Sequence, residues 1–393
     1  AAQAGEYLLE VYDSLETKAS QSNFGFIYSD GTYSPAFPDM SVTFEGSSAS
    51  CFNDISQNPE PEQPYDNTNS FTSAEKERAQ AKINGYLDNL STLPSSVTID
   101  GKKYEGFGEE NFVKMQVETD EEQDYGKKNT RVYLHNKDSK LDLTLEVSSY
   151  PDYAAYEWTV YFTNPLYGDI DEDGEIAVSD ALLSLQRAVN KTQLSGEKIF
   201  AADADGNGDV TVNDALLILQ KSVGKIELER NGNSAVITDP VAANACFEGG
   251  SPYIGTSYSD INNSNTAPYM PMELYLQKGD SYTFAPTTGR STENVFPYYN
   301  IEHGNSGTFM AIGWSGTWQS DIAFDGSETT VTAKQQTFNS YLKTGERAAT
   351  PLVAFVEYDG RDLSRSTNLW REWVINCNMR KDENGELMEG ARG

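Results

Sequence analysis

The sequence has few of the residues on which common enzyme chemistry depends. Only two of its 393 residues are histidines, His135 and His303, and neither lies near a Ser or Cys in a recognisable nucleophile motif. No glycine-rich loop that could cradle a phosphate is present. The three cysteines, Cys51, Cys246 and Cys377, are far apart and odd in number, which excludes zinc spacing and a disulfide framework. The sequence is compatible either with one disulfide among the three cysteines or with three free thiols.

Basic residues and long apolar runs are also scarce. Lys and Arg number 29 against 60 Asp and Glu, which gives a formal net charge of −31. Such a charge repels phosphate backbones and anionic lipid surfaces, so we expect no nucleic-acid partner and no membrane-surface partner. No run of about 18 apolar residues occurs, so we expect no membrane insertion. Strong acidity is compatible with calcium binding and with an extracellular location.

The sequence does contain one internal repeat, at an offset of 34 residues. Residues 169–180 read DIDEDGEIAVSD and precede ALLSLQRAV, while residues 203–214 read DADGNGDVTVND and precede ALLILQKSV. In a calcium loop of about 12 residues, side-chain oxygens stand at positions 1, 3, 5 and 12 and a carbonyl at position 7, with Gly at position 6 for the turn. Both copies fit this pattern, and two matches in register argue against a simple acidic surface turn.

The repeat therefore predicts two Ca²⁺ sites. Hard oxygen ligands without His or Cys exclude zinc. The predicted ligands are Asp169, Asp171, Asp173, Glu175 (carbonyl) and Asp180 in the first loop, and Asp203, Asp205, Asn207, Asp209 (carbonyl) and Asp214 in the second. Two carboxylates about 4 to 5 Å apart repel by about 3 to 4 kcal/mol at an effective dielectric near 20. We therefore expect the repeat to be largely disordered without calcium.

Each loop precedes a helix with a regular apolar stripe. The stripe recurs at i, i+3 and i+7, and consists of Leu182, Leu185 and Val189 in the first copy and Leu216, Leu219 and Val223 in the second. We interpret it as the core of the repeat. Ile176 and Val210, at loop position 8, predict a short β contact between the loops.

Paired loop-helix units with Asp at position 12 resemble the dockerin family. The resemblance implies a secreted chain that binds a cohesin module of a scaffoldin protein. It assigns cohesin contacts to loop positions 10 and 11 and to a basic helix residue, which here are Val178, Ser179, Arg187, Val212, Asn213 and Lys221. Because the pairs at positions 10 and 11 differ from the Ser-Thr pair of the best-known class, the type of cohesin stays open.

The flanks of the repeat are typical of β structure. Residues 141–147 (LDLTLEV) and 272–277 (MELYLQ) alternate apolar and polar side chains, as amphipathic strands do. One helix is predicted near residue 72, where Thr72 and Glu75 form a capping box ahead of an apolar stripe. The fold class expected is mainly β, a large β-sandwich with a small all-α calcium-binding module.

Five stretches of the flanks resemble glycoside hydrolase family 36, the α-galactosidase-like enzymes. These are residues 157–162 (EWTVYF), 289–291 (GRS), 296–302 (FPYYNIE), 311–318 (AIGWSGTW) and 368–373 (NLWREW). The resemblance implies the N-terminal β-supersandwich of that family, with the dockerin module inserted in it. The expected order is residues 1–166 as the first part of the sandwich, 167–227 as the dockerin, and 228–393 as the second part, ending in a helix. Three separate domains in a row are the alternative.

The resemblance also bears on catalysis. The catalytic aspartates of that family lie in a barrel that would begin where this chain stops, at Gly393, so no catalytic residue is assigned. We therefore expect a cellulosome-type component that carries a non-catalytic sandwich and takes part in polysaccharide degradation. The alternatives are a structural cell-surface protein and a carbohydrate-binding protein that uses aromatic platforms, with Trp314, Trp318, Tyr298 and Tyr299 as candidates.

Overall fold

The computed structural model describes residues 70–122, 125–232, 234–250, 252–259, 270–382, 385 and 387–388. It also describes two short strands, Tyr7–Leu8 (β1) and Phe26–Ile27 (β2), which pair with each other. The chain divides into two units, residues 1–68 and residues 69–393. Most of the first unit lies outside the described residues, and so does Cys51, whereas Cys246 and Cys377 carry free thiols.

The first described helix, α1 (Ser73–Asp88), begins where the sequence predicts it. Thr72 Oγ1 accepts a hydrogen bond from Glu75 N at 3.2 Å, and Glu75 Oε2 accepts one from Thr72 N at 2.8 Å. This reciprocal pair satisfies two N–H groups that a helix start leaves open. The helix buries Ala79 and Ile83 against the sandwich and runs into a short 3₁₀ turn, so the predicted capping box is confirmed.

The strands fall into two groups along the chain. Before the helical segment lie β3 (Ser96–Ile99), β4 (Lys102–Glu105), β5 (Phe112–Glu122), β6 (Lys127–Asn136), β7 (Asp142–Tyr150) and β8 (Ala155–Thr163). After it lie β9 (Ala235–Glu248), β10 (Tyr253–Ser257), β11 (Pro271–Tyr275), β12 (Ser281–Phe284), β13 (Tyr298–His303), β14 (Ser306–Gly313), β15 (Trp318–Phe324), β16 (Glu328–Gln335), β17 (Asn339–Leu342), β18 (Arg347–Ala349) and β19 (Leu352–Asp359).

These strands form two antiparallel sheets. The ten-stranded sheet has the order β11-β10-β13-β14-β19-β8-β7-β6-β5, with β18 beside β8. The seven-stranded sheet has the order β12-β15-β16-β9-β3-β4, with β17 beside β9. Strands from both sides of the helical segment adjoin in each sheet, because β8 pairs with β19 and β3 pairs with β9. The predicted fold class, a mainly β sandwich, is confirmed.

One apolar core joins the two sheets. Trp158 lies at its centre, 1% exposed and stacked on Phe355 with ring centroids 5.0 Å apart. Its indole N–H donates to the carbonyl of Ala242 on the facing sheet at 2.9 Å, so the one polar atom of this ring is satisfied. After the last strand, α5 (Leu363–Trp373) and a π-helical turn (Val374–Asn378) close one side of the core with Leu369 and Trp373.

The helical segment lies between β8 and β9. It contains α2 (Val178–Ala188), the short α3 (Lys198–Ala202) and α4 (Val212–Ser222). Its own small core includes Phe200 and Ile218, and one strand residue of the sandwich, Tyr133, belongs to the same cluster. The rings of Tyr133 and Phe200 meet edge to face at 5.8 Å. The segment thereby packs on β6 at Tyr133 and reaches the start of β7, where Thr144 donates to Glu197 at 2.8 Å, so it helps to bury that end of the strand.

Candidate metal centres and docking face

The first predicted loop is folded around its own carboxylates. The Asp180 carboxylate accepts hydrogen bonds from the N–H groups of Ile170 at 2.7 Å and Ala177 at 2.9 Å, and so holds the start of the loop to the start of α2. Asp169 accepts a bond from Gly174 N at 3.0 Å. Gly174 has φ +91°, which an L side chain rarely adopts, so the sharp turn requires the glycine at position 6.

The second loop repeats this arrangement. Asp214 accepts hydrogen bonds from Asp205 N at 3.1 Å and from Thr211 N at 2.8 Å. Asp203 accepts one from Gly208 N at 2.8 Å, and Gly208 has φ +89°. The two loops therefore share one backbone design, as the sequence repeat predicts.

Carboxylate oxygens converge in both loops. In the first, one oxygen each of Asp169, Asp171 and Asp173 lie within 4.8 Å of one another. In the second, the same holds for Asp203, Asp205 and Asp214. Burial raises the pKa of Asp169, Asp203 and Asp214, because the charged form of each loses solvation in a place where other carboxylates are close. A divalent cation would offset this cost, and an oxygen-only donor set around a glycine turn fits Ca²⁺.

The remaining predicted ligands lie at the same two loops. The Asp180 carboxylate is fully buried and bonds to N–H groups of its own loop, while the Asn207 side-chain oxygen accepts from Asp209 N at 2.9 Å. Glu175 donates its N–H to Asp173 Oδ1 at 2.8 Å, which leaves its carbonyl for position 7. The β contact expected between the loops is wrong for the described residues: Ile176 and Val210 instead pack, half-buried, against the small core of the helical segment.

The apolar stripe on the two helices faces solvent, which corrects its interpretation as core. The exposed fractions are 53% for Leu182, 38% for Leu185, 46% for Val189, 50% for Leu216, 39% for Leu219 and 57% for Val223. The buried residues of α2 are instead Asp180, Ala181 and Ser184, and those of α4 are Asp214, Ala215 and Ile218. The small side chains of Ala181, Ser184 and Ala215 allow α2 and α4 to lie close against the core of the segment and against each other.

The exposed stripe continues into the predicted partner residues. Val178 is 59% exposed and Val212 is 57% exposed, and both line one apolar groove of about 330 Å³ between the helices. We call this surface the docking face; the groove is lined by Val178, Ala181, Leu182 and Leu185, and by Val212, Ala215, Leu216 and Leu219. An apolar patch that joins two helices and stays open to water is typical of an interaction site.

The other predicted partner residues are not among those that line this groove. Ser179 and Asn213 are exposed at the loop ends, and Asn213 donates to Asp205 Oδ2 at 3.0 Å. Arg187 and Lys221 are half-buried in the last turns of α2 and α4, where Lys221 forms an ion pair of 2.5 Å with Glu227. Of the six predicted partner residues, Val178 and Val212 therefore line the groove, and the other four lie elsewhere on α2 and α4.

The aromatic platforms considered for sugar binding belong largely to the core. Tyr299 and Trp318 are 0% exposed. Tyr298 is stacked between Phe296, at 5.2 Å, and Trp370, at 6.2 Å. Strand-borne aromatic residues here therefore stabilise the sandwich by packing.

Comparison with known families identifies the repeat. Residues 167–221 match the dockerin type I domain. The interpretation of the two loop-helix units as a dockerin is therefore confirmed. Proteins with such domains bind calcium, and the carboxylate clusters of this chain lie at the matching loops.

Solved structures similar to the chain include α-galactosidases, the class that the flanking motifs resemble. The α-galactosidase from Lactobacillus brevis is 10% identical, with 72% of this chain and 31% of that chain covered and a TM-score of 0.45. A GH36 α-galactosidase from Geobacillus stearothermophilus is 12% identical, with 73% and 33% covered and a TM-score of 0.46. The galactosidase domain of an α-galactosidase-sucrose kinase is 11% identical, with 97% and 43% covered and a TM-score of 0.46.

The chain spans less than half the length of each of these structures. No curated protein matches it in sequence. None of the helices in the described part of the chain is both long enough and apolar enough to cross a membrane.

Proposed function

We propose that this chain is an extracellular, cellulosome-type component that binds a cohesin module of a scaffoldin protein through its calcium-loaded dockerin, residues 167–227. The observation that carries the proposal is the docking face. Two helices, each ordered by a calcium loop at its start, present a matched apolar surface to solvent instead of burying it. Two calcium ions, one in each loop, would hold the helix starts in the register that creates this surface.

We infer that residues 1–166 and 228–393 form one β-sandwich into which the dockerin is inserted, and the pairing of β8 with β19 and of β3 with β9 supports this. Limited proteolysis tests it, because cuts near Pro165 and Gly232 should leave the two flanks associated. Flanks that separate after cleavage would favour three domains in a row.

The motif resemblance to family 36 supports a sandwich of the kind found in α-galactosidase-like enzymes involved in polysaccharide degradation, without catalytic residues of its own. An assay of this chain on α-galactosides should show no turnover. Clear hydrolysis would contradict the non-catalytic assignment.

Cohesin binding is tested by calorimetric titration of the chain with a panel of cohesin modules. We expect binding in calcium and none after chelation. The double substitution Leu182→Gln and Leu216→Gln should weaken binding by at least about tenfold, because apolar side chains at the centre of an interface contribute most of the affinity. Stability should change by less than about 0.5 kcal/mol, since both residues are exposed.

Val236→Gln is the matched control, because Val236 is 43% exposed on β9 in the seven-stranded sheet, whereas the helical segment packs on the ten-stranded sheet. It should leave cohesin binding unchanged. Binding that survives chelation, or that the double substitution does not weaken, would contradict the proposal.

A further inference from the structure

The two calcium loops lie in different surroundings although their backbones match. Position 6 is occupied by Gly174 in the first loop and by Gly208 in the second, with φ +91° and +89°. A Cβ added at Gly174 would have no heavy atom within 4 Å, whereas one added at Gly208 would lie 2.8 Å from Cβ of Val113 on β5. The turn of the second loop therefore lies directly on the edge of the larger sheet, and the turn of the first does not.

Position 4 shows the same contrast. Glu172 occupies it in the first loop at φ +65°, and Gly206 occupies it in the second at φ +67°. Glu172 has 64% of its side chain exposed and lies 3.7 Å from the Lys198 ammonium group, but a Cβ at Gly206 would collide with the side chain of Arg230. The same unfavourable backbone conformation thus tolerates a side chain in one loop and excludes it in the other, because Arg230 occupies the space.

A buried chain of polar groups leads from the sandwich to the second loop. His135 on β6 has Nδ1 at 2.8 Å from Asp142 Oδ1 and at 3.9 Å from Asp203 Oδ2, the predicted ligand at position 1. The other Asp142 oxygen accepts the Tyr167 hydroxyl at 2.8 Å, and that hydroxyl accepts from Arg230 at 2.7 Å. His135, Asp142 and Asp203 are at most 1% exposed. The guanidinium of Arg230 also lies 4.6 Å from the Tyr167 ring centre.

The first loop has no counterpart to this chain in the described residues. Asp169 and Asp180 accept their hydrogen bonds from N–H groups of their own loop. Asp169 is 8% exposed, against 1% for Asp203.

We propose that the sandwich supports the second calcium site from outside, with the buried His135 and Asp142 as positioning residues that restrict the movement of the neighbouring Asp203 carboxylate. A carboxylate fixed by its surroundings loses less conformational entropy when the ion binds, so the second site binds calcium more tightly than the first. Calcium in the second loop in turn stabilises the sandwich, because any ligand that binds only the folded state does so. The inference rests on the calcium sites of the proposed function, but not on cohesin binding.

The test measures calcium affinity loop by loop in the full chain. Asp171→Ala removes an exposed ligand of the first loop and leaves the second to be measured alone, and Asp205→Ala does the reverse. We expect the Asp171→Ala protein, which keeps only the second site, to bind calcium more tightly than the Asp205→Ala protein, which keeps only the first. Adding His135→Leu to the Asp171→Ala protein should weaken its calcium binding by about tenfold or more, the usual effect of losing an outer-shell partner. The same substitution should leave the calcium affinity of the Asp205→Ala protein unchanged.

His135→Asn is the rescue variant, because its amide nitrogen can take the place of Nδ1 against Asp142, and it should recover most of the lost affinity. Tyr167→Phe is a milder second variant, which removes only the hydroxyl bonded to Asp142 and should weaken the second loop alone. Equal losses in both loops, or a second loop that responds to none of these changes, would overturn the inference. Loss of cohesin binding with site-specific calcium effects intact would instead contradict only the proposed function.

Discussion

The two calcium loops of this protein are near copies in sequence, yet one lies open to solvent and the other against a sheet. Their turns and helix starts are arranged alike, and each loop brings three carboxylates together, although position 5 is Asp173 in the first loop and Asn207 in the second. What differs is the second layer of contacts, which comes from β5, β6 and Arg230 in one case and from the loop itself in the other. A repeat can therefore keep the same loop geometry twice while only one copy packs against the rest of the protein.

Calcium removal should produce the largest difference between the loops. Without the ion the carboxylates repel, and only the second loop keeps support from the sandwich. We expect trypsin to cleave the chelated protein after Arg187 and Lys191, in the first repeat, about tenfold faster than after Lys221 and Lys225, in the second. Peptide mapping of a time course measures this. Equal cleavage rates in the two repeats would break the comparison.

Alanine at the turn glycines should produce the next largest difference. Gly174→Ala and Gly208→Ala both pay about 1 to 2 kcal/mol for the positive φ, so this cost cancels between them. Gly208→Ala should cost about 1 to 3 kcal/mol more, because the new methyl group collides with Val113. Urea unfolding in the presence of calcium measures the free energy of unfolding of both variants.

Adding Val113→Gly to Gly208→Ala removes the Val113 Cβ together with both of its methyl groups, and so makes room for the new methyl group. The combined protein should therefore be more stable than the sum of the two single changes predicts. Additive effects would show that the second loop does not press on β5.

Position 4 should produce the smallest difference. Glu172→Gly removes a side chain from a backbone conformation that glycine adopts freely, and should change the free energy of unfolding by less than about 1 kcal/mol. Gly206→Ala should destabilise the protein, since the new Cβ displaces Arg230. Thermal unfolding in the presence of calcium measures the stability of the Glu172→Gly and Gly206→Ala proteins. Equal effects of the two substitutions would contradict the role given to Arg230.

The sequence alone was sufficient to locate the two loops and to predict the class of fold. A loop of fixed ligand spacing is a local pattern, and so are the capping box at Thr72 and the alternation of strands such as β7, so each can be found without knowing what it contacts. Helix periodicity identified a real stripe through Leu182 and Leu185, but it could not tell which face of the helix is covered. That depends on the close approach of the core residues behind Ala181 and Ser184.

The anchoring network was missed because its members are distant in sequence. His135 and Asp142 lie in one hairpin of the sandwich, far from Asp203, and nothing in the pattern of residues joins them. One signal was present: the loops differ at position 4, where the first has Glu172 and the second has Gly206. A glycine that the calcium pattern does not require indicates close approach of another group, and here that group is Arg230.

Hydrogen exchange of the calcium-loaded chain, with and without a bound cohesin, tests the account most directly. We expect cohesin to slow exchange in α2 and α4 and to leave β5 and β6 unchanged, because the docking face is open to the partner while residues on the other side of the segment already pack on the sandwich. Protection that appears on β5 and β6 instead, with α2 and α4 unaffected, would contradict it.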